Sequence, residues 1–308
     1  MISRLSQLGL LLFVSALVAI LSRRLRMPYT VGLVLAGMGL YFFQVRLQLH
    51  LSKDLIFSFL LPPLVFEAAL YIKWQDFRRD LPVVALLATV GVVLAAAVTA
   101  GGMHYALDWG WGSATVFGVL IAATDPVSVI ATFKEAGVIG RLRLLIESES
   151  LLNDGTAAVG FAVVLNVLTG ENHDVASIAG VLLVTIAGGI IIGALVGFGS
   201  MLLAGRTDDY LVEITLTTLA AYGSFSVAEH YHSSGVLAAL TAGLVVGNYR
   251  PSGSISDAGR RALETFWEYA AFLANSLVFI LIGAQEAEQH FNGLWLSGAR
   301  GYRTCDLR

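Results

Sequence analysis

Charge is what this sequence has least of. Asp, Glu, Lys and Arg make up 13% of its 308 residues, while 56% are hydrophobic. An ordinary soluble domain carries about 25% charged and about 45–50% apolar residues. A water-soluble fold of this size could not hide so much apolar surface, which excludes an ordinary cytosolic enzyme. The single cysteine, Cys305, excludes a disulfide framework and a cysteine-based metal site. Proline is scarce at six residues, so each proline inside an apolar run is informative. The net charge of −3 gives no electrostatic reason to expect nucleic acid as a partner. Glycine is abundant, with 32 residues, as in closely packed membrane helices. The solvent implied is the lipid bilayer.

Ten apolar segments follow, each roughly long enough to cross a membrane. They are Leu5–Ser22, Pro28–Phe43, Asp54–Ile72, Pro82–Ala106, Gly112–Phe133, Arg143–Leu168, Val175–Ala204, Leu211–Glu229, Ser234–Asn248 and Ala262–Ala284. The first follows Arg4, as a signal peptide would, but no small-residue cleavage site precedes Ser22-Arg23-Arg24, so it reads as a span. Basic residues alternate with the loops. Arg23, Arg24, Arg26, Lys73, Arg78, Arg79, Lys134, Arg141, Arg143, Arg206, Arg250, Arg260 and Arg261 follow odd-numbered segments, and only Arg46 and Lys53 lie in even-numbered loops. The positive-inside rule then puts the odd loops in the cytoplasm and the N-terminus outside.

The chain also repeats itself weakly. Val31-Gly32-Leu33-Val34-Leu35-Ala36-Gly37 in segment two resembles the stretch Gly235–Gly243 in segment nine, and Leu64-Val65-Phe66 in segment three matches Leu277-Val278-Phe279 in segment ten. The copies are displaced by seven segments, an odd number, so they lie in opposite orientations. Inverted repeats of this kind mark secondary transporters.

The chemistry lies in charges placed where charge is expensive. Asp125-Pro126 interrupts segment five; proline removes a backbone donor and pushes the preceding residue out of helical geometry. A helix broken at mid-membrane exposes carbonyls that can hold a cation. The plainer alternative is a kink in which Asp125 satisfies a freed amide. Segment six carries Glu147-Ser148-Glu149-Ser150-Leu151-Leu152-Asn153-Asp154-Gly155-Thr156. Ser150 and Asp154 share one helix strip, and Glu149 and Asn153 the next. Counted from Arg143, Asp154 is about 16 Å deep at 1.5 Å per residue, near the centre of a roughly 30 Å hydrocarbon core. A third acid, Glu67, follows Pro62-Pro63 in segment three, nearer the cytoplasmic surface. Glu213, Glu229, Glu264 and Glu268 fall near span ends and read as solvated, His230 and His232 read as exposed in an outer loop, and Trp109, Trp111 and Trp295 suit an interfacial belt.

A midplane site of carboxylate, hydroxyl and backbone carbonyl suits a small hard cation, whereas an anion path would want basic residues that these spans hardly contain. Low-dielectric surroundings disfavour a charged carboxylate, so a proton and a cation can compete for it. Competition at one site couples the two ions.

Thr124-Asp125-Pro126, Phe133-Lys134-Glu135-Ala136-Gly137 and the Glu147–Thr156 block together resemble the NhaP-like sodium/hydrogen exchanger branch of the monovalent cation/proton antiporters, as do Phe66-Glu67-Ala68 and Asn275-Ser276-Leu277-Val278-Phe279. The resemblance implies an all-α polytopic membrane fold of inverted repeats, here with about ten spans and a broken helix at segment five. It implies a scaffold of residues 1–72 and 211–284, a mobile core of residues 82–168 and a linker helix at 175–204, followed by a polar tail at 285–308. It implies exchange of Na⁺, or of Li⁺ or K⁺, for protons with no cofactor, serving pH and sodium homeostasis from a homodimer in the cell membrane. Asp154 would bind the ion and the proton, with Ser150, Glu67 and the Thr124 backbone completing the cation shell. Asn153, which stands where electrogenic relatives carry a second aspartate, would fit one-for-one exchange; Asp125 and Glu149 would orient the unwound helices.

Two departures accompany the resemblance. Ser148 stands where relatives usually have glycine. The family's second repeat continues beyond segment ten and supplies a basic partner for the segment-six glutamate, so the second repeat is expected to be incomplete here. A non-transporting truncated paralogue acting through membrane association is therefore the alternative, and an intramembrane enzyme using Asp125 and Asp154 as an acid pair is a remote third.

Overall fold

The computed structural model describes residues 4–25, 27–42, 55–124, 141–170, 175–207, 209–249 and 257–288, and some side chains within its helices, Asp154 and Glu147 among them, lie outside that description. The described chain is helical throughout: α1 (Arg4–Leu25), α2 (Tyr29–Phe42), a π-helical turn Leu55–Leu60 leading into α3 (Leu61–Leu70), α4 (Trp74–Leu86), a second π-helical turn Leu87–Gly91, α5 (Val92–Leu107), α6 (Trp111–Ala122), α7 (Arg141–Leu168), α8 (Val175–Ala204), α9 (Tyr210–His230), α10 (Gly235–Asn248) and α11 (Asp257–Glu288). Among the described residues six helices are long and apolar enough to span a bilayer, and four shorter apolar helices join them. These are the ten expected segments. Phe13, Ile20, Val98, Leu183, Val184 and Leu195 are all well exposed, which is reasonable only where the surroundings are lipid.

Several boundaries differ from expectation. The fourth segment begins at Trp74 rather than Pro82, because a proline inside α4 only frees the carbonyl of the exposed Arg78, where water can reach it. The last helix runs Asp257–Glu288, past the expected Ala262–Ala284 at both ends. In α3 the prolines at 62 and 63 follow a π turn, and Pro63 cannot donate to the carbonyl of Phe59. The Tyr222 hydroxyl donates to that oxygen instead, at 3.1 Å.

The repeat is visible in packing. Exchanging α1–α3 for α9–α11 turns the α2–α11 contact into the α10–α3 contact, and both are extensive. The same glycine serves each. Gly37 of α2 lies directly on the carbonyl of Ile280 in α11, and a Cβ at Gly243 of α10 would stand 2.8 Å from both the Phe66 carbonyl oxygen and the Ala69 methyl of α3. Such closeness is available only to residues without a side chain. Around these crossings Phe66, Trp267, Ala220, Ala221, Ala242 and Met201 form one buried cluster, while α5–α7 form another of Val92, Ala96, Val119, Ala122 and Ala157. A third cluster joins the two groups of helices, with Phe77, Leu81, Leu144 and Leu152 against Val65, Ala69, Ile72, Leu240 and Leu244.

Candidate functional site

The site begins where α6 stops. The helix ends at Ala122, and Ala123 is extended, with φ −67° and ψ 132°. The Asp125-Pro126 pair lies just ahead, and helices usually end at or before the residue preceding a proline. Asp125 and the rest of the expected fifth segment lie outside the described residues. Thr124 is therefore exposed and non-helical, with its polar groups turned away from any helical ladder.

Helix α7 takes those groups up. Ser150 and Asn153, three residues apart and essentially fully buried, both reach Thr124. The Ser150 hydroxyl donates to the Thr124 carbonyl, and Asn153 Nδ2 donates to Thr124 Oγ1 at 2.7 Å. The second hydrogen of Asn153 Nδ2 goes to Glu149 Oε1, at 3.0 Å, one turn back on α7. The carboxylate can only accept, which fixes the orientation of the amide. Asn153 Oδ1 and Ser148 Oγ are buried with no hydrogen-bond partner among the described residues.

The arrangement has a chemical consequence. Ser150 spends its hydrogen on a carbonyl, so its oxygen lone pairs stay available, and Thr124 Oγ1, which accepts from Asn153 Nδ2, adds a second hydroxyl oxygen. Neutral oxygen donors at the end of a broken helix are ligands for a hard monovalent cation. Asp154 sits on α7 one turn beyond Ser150; its side chain lies outside the description. Glu67 is half-buried on α3, and with Glu264 and Glu268 of α11 it lies within electrostatic reach of Tyr71. The structure thus joins Ser150, Asn153, Glu149 and Thr124 into one hydrogen-bonded group and puts Glu67 on the neighbouring helix set. A Cβ at Gly155 of α7 would stand 3.6 Å from the Leu237 side chain of α10, so this stretch of α7 runs along the seam between the two sets.

One polar residue escaped the sequence reading and another was misread. Asp80 is 3% exposed and pairs with Arg141, Nη2 to Oδ1 at 2.7 Å and Nε to both oxygens at 3.0 and 3.1 Å. Arg141 opens α7, where the helix dipole disfavours a cation, and the Asp80 carboxylate supplies the negative charge that end prefers. The hydrogen bond first, and the charge second, raise the Arg141 guanidinium above its ordinary range. The signal was present: Phe77, Asp80 and Val84 fall on one stripe of α4, an acid among core positions. Glu213, expected to be solvated, is 1% exposed. It lies in the first turn of α9, one turn before the equally buried Thr217, on the face turned toward the neighbouring helices. Glu229 and Glu268 are exposed, as are His230 and His232, in agreement with the sequence reading.

Fold and site together define a multi-pass membrane protein of the antiporter architecture. A superposition with the sodium proton antiporter MjNhaP1 from Methanocaldococcus jannaschii, solved at pH 8, gives a TM-score of 0.71 at 21% identity, covering 95% of this chain and 74% of that one. The family model for the sodium/hydrogen exchanger transmembrane region matches residues 10–297, and the chain belongs to that family. It is 41% identical over 261 residues to the Na(+)/H(+) antiporter ApNhaP of Aphanothece halophytica, covering 84% of this chain and 50% of the relative. It is 38% identical to the low-affinity Na(+)/H(+) antiporter NhaS1 of Synechocystis (91% and 54%) and 32% identical to the Na(+)/H(+) antiporter NhaP of Pseudomonas aeruginosa (90% and 70%). The chain spans about half the length of the first two of these relatives.

Proposed function

We propose that this chain exchanges Na⁺ for protons across a membrane by competition at Asp154. The observation that carries the proposal is the clasp of α7 on the broken end of α6, where Ser150 and Asn153 hold Thr124 one turn from that acid. Membership of the sodium/hydrogen exchanger family supports it. In the ionised form Asp154 attracts Na⁺, with Ser150 Oγ, the Thr124 backbone and Glu67 as further oxygen donors. A proton on the same carboxylate cancels the charge and releases the cation, so neither ion is carried with the other. Asn153 and Glu149 keep the α7 face in register with Thr124, and Asp125 orients the chain beyond it. Asn153 brings a neutral amide where a second acid would add another titrating charge, which favours one Na⁺ per proton. Li⁺ or K⁺ would compete according to how closely the oxygens can approach.

The movement is assigned to the seam. Residues 82–168 form the moving core, residues 1–72 and 211–284 the scaffold and residues 175–204 the linker; Leu144 and Leu152 of the core, with Phe77 and Leu81 of α4 just ahead of it, face Val65, Ile72, Leu240 and Leu244 across an aliphatic and aromatic surface. Apolar contact is non-directional and tolerates sliding better than an array of hydrogen bonds would. The protein works as a homodimer in the cell membrane, N-terminus outside and odd-numbered loops cytoplasmic. Na⁺-driven proton movement by the reconstituted chain, compared with Asp154→Asn, tests the assignment: the variant loses the movement, and a variant that keeps it refutes the role of Asp154.

A further inference from the structure

The passage from α3 to α4 is only three residues long, Tyr71, Ile72 and Lys73, yet it joins a helix packed on α10 and α11 to one packed on α7. Such a joint faces a local problem. Lys73 is the N-cap of α4 and is extended (φ −74°, ψ 121°), but lysine has no oxygen with which to accept from the first turn, and no side-chain cap forms there. The cap comes from 174 positions away. Asn248, the last residue of α10, accepts from the Trp74 backbone N–H through Oδ1 at 2.7 Å. Its Nδ2 donates to the Ile72 carbonyl at 2.8 Å and to the Leu244 carbonyl of its own helix at 2.9 Å. Trp74 N–H can only donate and both carbonyls can only accept, so the orientation of the amide is unambiguous.

One side chain thus closes the end of α3 and the start of α4 together, while the bond to Leu244 ties the amide to α10. Helix α10 is itself held to α3, because Gly243 and Gly247 lie directly on the carbonyls of Phe66 and Leu70. Ile72 between them is 2% exposed. The joint therefore has little slack. Its backbone is fixed to α10, and any swing of α4 relative to α3 must turn about Trp74.

We propose that Asn248 is a positioning residue for exchange: it fixes the pivot about which α4–α7 turn against α3 and α10. The inference rests on the antiporter reading and goes beyond it, since Asn248 belongs to neither the clasp at Thr124 nor the carboxylates. Its consequence is kinetic. Loosening the pivot makes the swing less directed and slows turnover, while the oxygens around Thr124 and Ser150 are untouched, so the half-saturating Na⁺ concentration holds.

The test uses Asn248→Leu and Asn248→Asp in the whole chain, reconstituted in lipid. Asp keeps an acceptor for Trp74 and loses the donor to Ile72, and it covers the case in which Leu impairs folding. Amide hydrogen exchange is read first, because it does not depend on transport. Trp74 is expected to exchange about tenfold faster in the Leu variant and to stay close to the unsubstituted rate in Asp, with α7 unchanged in both. Transport is read second: maximal rate falls several-fold in Leu and less in Asp, at unchanged half-saturation. Unaltered Trp74 exchange in the Leu variant overturns the latch. A rise in half-saturating Na⁺ with unchanged maximal rate overturns the pivot role. If the unsubstituted chain moves no ions, the antiporter reading fails and the pivot role with it, while the exchange of Trp74 still decides whether the latch exists.

Discussion

Gly243 offers a sharp test of why α10 and α3 sit where they do. An alanine methyl there would meet the Phe66 carbonyl oxygen and the Ala69 Cβ, each at 2.8 Å, where ordinary contact begins at about 3.4 Å. The shortfall is about 0.6 Å against two atoms that cannot rotate away, so the helices themselves must part. Overpacking of this kind costs about 1–3 kcal/mol. Alanine returns up to about 1 kcal/mol through better helix propensity. The net expectation for Gly243→Ala is a loss of about 1–2 kcal/mol, seen as a fall of roughly 2–5 °C in the unfolding midpoint of the purified chain. Gly39→Ala is the control, because no atom stands within 4 Å of a Cβ at that position; it should be neutral or slightly stabilising. Equal midpoints for Gly243→Ala and Gly39→Ala would refute the argument that close backbone approach sets this crossing.

Two further predictions concern the polar contacts. Trp267 is buried against Phe66, with ring centroids 4.5 Å apart, and donates from Nε1 to Thr217 Oγ1 at 3.0 Å; Trp267→Phe removes the donor and part of the ring, and should cost about 1–3 kcal/mol in thermal unfolding. The pair Asp80–Arg141 is asymmetric, with side chains 4% and 64% exposed. Arg141→Gln leaves a buried carboxylate without its counter-ion and should lower the unfolding midpoint more than Asp80→Asn, which only returns an exposed guanidinium to solvent; the reverse order would contradict the assignment of the burden to Asp80.

The sequence made the spans legible because long apolar runs are the one signal a bilayer demands, and helices appear at all ten. The break after Ala122 was also legible, since a proline states its backbone requirement locally. The site was read in part. Residues on one helix face follow from helical periodicity, and Asn153 does bond Glu149 one turn back; periodicity did not show that Ser150 and Asn153, on adjacent strips, converge on one residue beyond α6. What stayed hidden were contacts between distant positions. Asn248 meets Trp74 across 174 positions and Arg141 meets Asp80 across 61. Periodicity carries no information about such pairs, because they depend on how helices are placed and not on what each helix is. Glu213 was misread for a related reason: nearness to a span end says how deep a residue lies, not whether it faces lipid, water or another helix.

The central claim is that one carboxylate on α7 carries either ion. It is tested most directly by preparing vesicles containing the whole chain with an imposed pH gradient, adding Na⁺, and following the internal pH, with Asp154→Asn in parallel. The account predicts that Na⁺ dissipates the gradient for the unsubstituted chain and leaves it intact for the variant, with both inserted and folded to the same extent. Dissipation that survives in Asp154→Asn, or a folded unsubstituted chain that leaves the gradient unchanged, would contradict it.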